Sequence, residues 1–218
     1  MTESQIKKIS ISLFGRIYGT HQQFDFHKIV QSIYPEAQID IYIHCWKYDS
    51  FNNNKYENKI NEIREYFNPK KIIVDDLEKV NAEGMNTCIY MLYSIQHSMA
   101  IAVSENIDYD LFLCVRPDII INQTPNFDNI VLEDNVVNMY SCPSLAISSC
   151  SGICDWFYAG NMKTFTSIAS INVKIVLNNS NETNIYNNFI NNGISIKTFQ
   201  TNNNGELAIV NKELLFTI

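Results

Sequence analysis

The first 115 residues alternate between short apolar runs and stretches with helical spacing, and few architectures accept that pattern. Lys8 to Phe14 (KISISLF) alternates polar and apolar residues and ends at Gly15, which reads as a strand followed by a turn at Gly15-Arg16. Phe24 to Tyr34 carries apolar residues near helical spacing and is closed by Pro35. Ile39 to Trp46 (IDIYIHCW) reads as a second strand, and Tyr56 to Phe67 as an amphipathic helix ending before Asn68-Pro69. Lys71 to Val74 is a third strand, Thr87 to Glu105 a long helix, and Tyr109 to Val115 a fourth strand. The order β-α-β-α-β-α-β predicts a mainly parallel sheet with helices on both faces.

The second half is less regular. Val136 to Tyr140 and Asp155 to Ala159 are strand-like, Met162 to Ile171 and Glu182 to Asn191 are helical, and Ile194 to Phe199 is a late strand. Gly193 supplies the stop after the last helix. The expected class is therefore α/β, one domain over 1–218, with a regular half at 1–121 and a less regular half at 122–218. The final run, ELLFTI, fits a complete chain or one domain of a longer one.

Composition enters as a set of exclusions. A formal net charge of −7 argues against a general nucleic-acid binder, which needs a basic stripe. It leaves room for an anionic small ligand held by a few local positive groups. No apolar run approaches the roughly 18–20 residues of a membrane span. No apolar h-region precedes the first strand, so a cytoplasmic protein is expected. The six cysteines match no standard zinc spacing and read as free thiols, with Cys45 and Cys114 inside apolar runs. The Asn-rich stretches read as loops.

Ligands of parallel sheets bind beyond the carboxyl ends of the strands. Three polar clusters fall there: Gly15-Arg16, Trp46-Lys47 and Arg116-Asp118. The last interrupts the most apolar stretch of the chain, YDLFLCVRPDIII. A carboxylate at that position, two residues after a guanidinium, suits a site for a diphosphate and a divalent cation. Mg²⁺ and Mn²⁺ take oxygen ligands, commonly one or two carboxylates plus phosphate oxygens. The plainer reading is a turn broken by Pro117 and capped by Asp118.

At this point a resemblance adds to the pattern. SENIDYDLFLCVRPDII, SISLFGRIYG, IDIYIHCW, DWFYAGNMKTF and NETNIYNNFINNGISIKTF stand in the order found in small glycosyltransferases with the GT-A fold. Such enzymes occur in bacterial polysaccharide loci and large DNA viruses. The resemblance implies a GT-A-like sheet and transfer of a sugar from a nucleotide-diphosphate-sugar donor to a saccharide or glycan acceptor. The family's D-x-D motif is here Arg116-Pro117-Asp118, so Asp118 inherits the Mn²⁺ or Mg²⁺ role. Arg116 replaces the first carboxylate, which puts metal dependence in question and offers a direct phosphate contact. Phe14, Gly15, Arg16, Trp46 and Asp75 would border the donor. The late histidine that often completes such metal sites has no counterpart, because His21, His27, His44 and His97 all lie in the first half.

Asp155 is the candidate general base, since an inverting transferase needs a carboxylate within hydrogen-bond reach of the acceptor hydroxyl. A strand or turn start explains it equally well. Trp156 reads as core sooner than as a sugar platform. Asp75-Asp76 reads as a loop cap before a nucleotide contact, and His97 as a packing residue. Two rival classes remain: a silent saccharide- or nucleotide-binding module of the same fold, and a nucleotidyltransferase-like enzyme. The latter wants a glycine-rich phosphate loop that LFGRIYGTH does not supply.

Overall fold

The computed structural model describes residues 6–15, 17, 25–51, 54–57, 59–76, 87–117, 119–121, 127–141, 153–172, 181–199 and 207–209. Its strands are β1 (Lys8–Gly15), β2 (Gln38–Trp46), β3 (Tyr48–Phe51), β4 (Asn54–Glu57), β5 (Lys71–Asp75), β6 (Leu111–Val115), β7 (Ile119–Ile121), β8 (Val136–Ser141), β9 (Ile153–Gly160), β10 (Ser195–Phe199) and β11 (Leu207–Ile209). Its helices are α1 (Phe26–Ile33), α2 (Ile60–Phe67), α3 (Thr87–Ser104), α4 (Met162–Ala169) and α5 (Asn181–Asn191).

Seven strands form one sheet in the order β10-β8-β9-β6-β1-β2-β5. The expected parallel core is present: β1 runs parallel to β2 and β6, and β2 parallel to β5. The second half makes the sheet mixed, because β9 lies antiparallel to both β6 and β8 while β10 is parallel to β8. The α/β class with a mainly parallel sheet flanked by helices is borne out.

Strand periodicity divides the core into two layers. Ile9, Ile11 and Leu13 of β1, Ile41, Ile43 and Cys45 of β2, and Leu111, Leu113 and Val115 of β6 pack with Phe26 and Val30 of α1 and Ile63 and Phe67 of α2. The alternate residues Phe14, Tyr42, Phe112 and Cys114 pack with Leu92, Ile95 and Met99 of α3 and Phe165 and Ile168 of α4. Successive side chains of a strand point to opposite faces, so one strand serves both layers. Cys45 and Cys114 are both buried, one on each face.

Helix ends follow local chemistry. Asn161 caps α4, its side-chain oxygen accepting from the Thr164 amide at 2.9 Å. Asn68 closes α2 in the left-handed region, and Gly193 takes a φ of +75° just after α5. The expected helix from Tyr56 to Phe67 is corrected. Tyr56 and Glu57 belong to a hairpin in which β4 pairs antiparallel with β3, and α2 begins only at Ile60. Tyrosine and phenylalanine suit a pleated strand as well as a helix, so the apolar spacing ran across the boundary. The fourth strand starts at Leu111, later than the expected Tyr109, because Asp110 turns back to accept from the Lys7 and Lys8 amides at 2.8 and 2.9 Å. The pairing of β7 with β11 had no sequence expectation behind it.

Candidate functional site

The parallel register brings the strand ends together. Leu13 lies opposite Val115, Gly15 opposite Cys45, and Trp46 opposite Asp75. The Lys47 amide donates to the Asp75 carbonyl at 2.7 Å, tying the end of β2 to the end of β5. Gly15 leaves β1 with a φ of +91°, a backbone region that side chains with a Cβ rarely enter. Arg116 follows β6 at the same edge and is partly exposed. In β9, antiparallel to β6, Phe157 pairs with Val115. Asp155, two residues earlier in β9, therefore reaches past the end of β6 toward that edge. Gly15, Trp46, Asp75, Arg116 and Asp155 all come from this one rim. Arg16 and Asp118 lie outside the described residues, as do the side chains of Asp155 and Trp156.

Two of the expected donor neighbours face inward. Phe14 is fully buried against Tyr158, with ring centroids 6.0 Å apart. What Phe14 can offer a ligand is therefore its backbone. Trp46 is 5% exposed and sits among His44, Tyr90 and Tyr93 at centroid distances of 5.2, 5.9 and 5.4 Å.

Beneath that tryptophan lies a cluster that no motif announced. His44 of β2 has its Nδ1 2.9 Å from Ser94 Oγ and its Nε2 3.1 Å from Asp75 Oδ2. Tyr93 donates to the same Oδ2 at 3.0 Å, and His97 Nδ1 lies 4.0 Å from it. The His97 ring stacks on Tyr93, centroids 3.7 Å apart. His97 thus packs as expected, yet it also points a ring nitrogen at a carboxylate. Asp75 is neither a loop cap nor an isolated ligand group; it ends β5 and gathers three side chains.

Burial sets the protonation of this cluster. It pushes the His44 imidazole down to about 4, overriding the opposite pull of Asp75. It lowers His97 as well, again against Asp75. Burial and the bond to Asp75 push the Tyr93 phenol up to about 12. Both imidazoles are therefore neutral at pH 7. The row Ser94–His44–Asp75 has the connectivity of a serine-hydrolase triad, but Ser94 is fully buried, so no substrate carbonyl can reach it. Among the described residues, His44, Asp75 and His97 form the one group of three whose ligand atoms all lie within 4.8 Å of one another.

The sequence holds a weak trace of this arrangement. Tyr93 and His97 are four residues apart on one helix, and IHCW and IIVDD both end strands, but nothing in their spacing joins them.

No family model matches the chain, and no curated protein matches it. Among solved structures, the chain is similar to a candidate nucleotide-diphospho-sugar transferase from Desulfovibrio desulfuricans G20. The two share 8% identity over 92% of this chain and 80% of that one, with a TM-score of 0.40. A likeness of that strength carries no weight for function. No described helix is long and apolar enough to cross a membrane.

Proposed function

We propose that this chain is a GT-A-like glycosyltransferase, moving a sugar from a nucleotide-diphosphate-sugar donor to a saccharide or glycan acceptor in the cytoplasm. The observation that carries the reading is the shared rim: Gly15, Trp46, Asp75, Arg116 and Asp155 all stand in the chain at the carboxyl edge of the parallel strands. That edge is where open α/β sheets bind their ligands. The proposal takes 1–218 as one domain with a donor side at 1–121 and an acceptor side at 122–218. A single sheet drawing strands from both halves supports it.

In this reading the glycine turn brings the backbone of Phe14 and Gly15 close to the donor nucleotide, with Trp46 and Asp75 bordering it. Arg16 and Arg116 meet the diphosphate, and Asp118 would hold Mn²⁺ or Mg²⁺, which would supply further positive charge for the leaving group. The acceptor hydroxyl forms a bond to the anomeric carbon as the bond from that carbon to the phosphate oxygen breaks. The diphosphate leaves with the electron pair, its charge met by the guanidinium groups. Asp155 takes the hydroxyl proton.

The test is a melting-temperature panel of UDP-, GDP- and dTDP-sugars, each with and without Mn²⁺, followed by transfer assays. A donor at a hundred times its Kd stabilises the fold by about 2.7 kcal/mol, so binding is readily seen. One nucleotide should raise the melting temperature, and Asp118→Ala should abolish transfer while the protein stays folded. Stabilisation by no donor, or near-normal turnover in Asp118→Ala, overturns the reading. Stabilisation that needs no Mn²⁺ moves the phosphate role to Arg116.

A further inference from the structure

We propose that His44, Asp75 and His97 form a binding site for a divalent transition metal of the Zn²⁺ class, with a ligand set that does not include Asp118. The inference does not depend on the transferase reading, although Asp75 figures in both, since it rests on the contacts among the His44, Asp75 and His97 side chains.

The donor set is two imidazoles and one carboxylate, contributed by three elements: β2, β5 and α3. Imidazole nitrogen suits Zn²⁺ and its neighbours, whereas Mg²⁺ and Ca²⁺ prefer an all-oxygen shell. Three protein ligands with further positions open is the pattern of sites that also take water or a substrate atom. Ligand atoms around a tetrahedral Zn²⁺ with bonds of about 2.0–2.1 Å stand roughly 3.3 Å apart. The His44–Asp75 pair is already at 3.1 Å, and the Asp75–His97 pair at 4.0 Å. The His44–His97 pair lies within 4.8 Å, so closing all three ligands on one ion takes a rotation of His97. That side chain is 42% exposed, so it has room to turn.

The supporting contacts are those a metal site needs. A ligating histidine commonly gives its other ring N–H to a fixed acceptor, which sets the tautomer. Ser94 Oγ stands 2.9 Å from His44 Nδ1, in place to be that acceptor. With no ion, the Nε2 proton bonds Asp75, and Ser94 donates to Nδ1. With an ion on Nε2, the proton sits on Nδ1 and Ser94 accepts. Only the hydroxyl rotates between the two states. Tyr93 holds Asp75 through its phenol and His97 through the stacked ring, orienting two ligands at once. The ligand set passes from fully buried His44 to partly exposed Asp75 and His97, at the strand that ends the sheet. The open coordination positions therefore face the solvent side of β5, where a water or an anionic oxygen would complete the shell.

The test uses the full chain after treatment with a chelator. Zn²⁺ binding is followed by titration calorimetry, and Co²⁺ is added as a spectroscopic stand-in. The expected result is uptake of one equivalent of Zn²⁺, visible Co²⁺ bands of nitrogen and oxygen ligation, and no displacement of those bands by excess Mg²⁺. His97→Ala, altering a part-exposed side chain, should stay folded and lose both signals. Asp75→Asn should weaken binding strongly. Ser94→Ala, which removes only the orienting contact, should weaken it roughly tenfold to a hundredfold. No stoichiometric uptake overturns the site. So does uptake unchanged in His97→Ala, or a sulfur-to-cobalt charge-transfer band, which would assign the ion to cysteines.

Discussion

The two faces of the central sheet are built from the same strands and are chemically unlike. Toward α1 and α2, the strands present Ile9, Ile11, Leu13, Ile41, Ile43, Leu111, Leu113 and Val115, an aliphatic surface that interdigitates with helix side chains. Toward α3, the same strands present Ser10, Ser12, Tyr42, His44, Trp46 and Cys114. Buried polar groups there form short chains: Tyr42 to Tyr109 to Asp40, Ser94 to His44 to Asp75, and Ser98 to Cys114. One face contributes hydrophobic stability that depends on volume and shape. The other holds groups whose burial costs free energy unless each finds a partner. The contrast teaches that the second face is where chemistry can be built, because its geometry is fixed by hydrogen bonds as well as by packing.

Removing volume from the aliphatic face should have the largest effect. Leu113→Ala empties a fully buried position of β6 on the side of α1 and α2, and should cost about 2–5 kcal/mol in urea unfolding. A cost under 1 kcal/mol would mean that this face is not the close-packed layer described.

The polar face should respond to pH. His44 holds its imidazole at about 4, below the ordinary value of 6.5, so the unfolded chain binds the proton more readily between those values. Stability is therefore intact above pH 6.5 and falls as pH drops toward 4, by up to about 3 kcal/mol for this group. His97 and His27 are lowered too, so the total slope is not His44's alone. His44→Gln should reduce the difference by His44's share. An unchanged pH dependence in that variant would show that His44 is not buried neutral.

The smallest effect distinguishes a polar group with a partner from one without. The Ser12 hydroxyl is buried and has no hydrogen-bond partner among the described residues. Ser12→Ala should leave stability unchanged or raise it by about 1 kcal/mol, opposite in sign to Leu113→Ala on the neighbouring strand β6. A clear loss of stability would reveal a partner for that hydroxyl.

Most of the parallel half was legible because strands and helices there differ in hydrophobic period. KISISLF, IDIYIHCW and LFLCV became β1, β2 and β6 nearly as read, and the helix expected from Thr87 became α3. The β3–β4 hairpin was hidden, since Tyr56 fits a helical stripe as well as a strand. The direction of β9 was also hidden, because alternation is the same in parallel and antiparallel pairing. The rim residues Gly15, Trp46, Asp75 and Arg116 could be named because strand ends are visible in sequence. The partnership of His44 with Asp75, 31 residues apart, could not.

The sequence by itself determined which residues form the parallel strands and which face of each is apolar, because both depend on local periodicity. Only the tertiary structure decided that β2 and β5 lie side by side, and that α3 crosses beneath them with Tyr93, Ser94 and His97 facing His44 and Asp75. Strand order and helix placement follow from how the buried faces pack over the whole chain, and that long-range choice leaves no trace in any single stretch of residues.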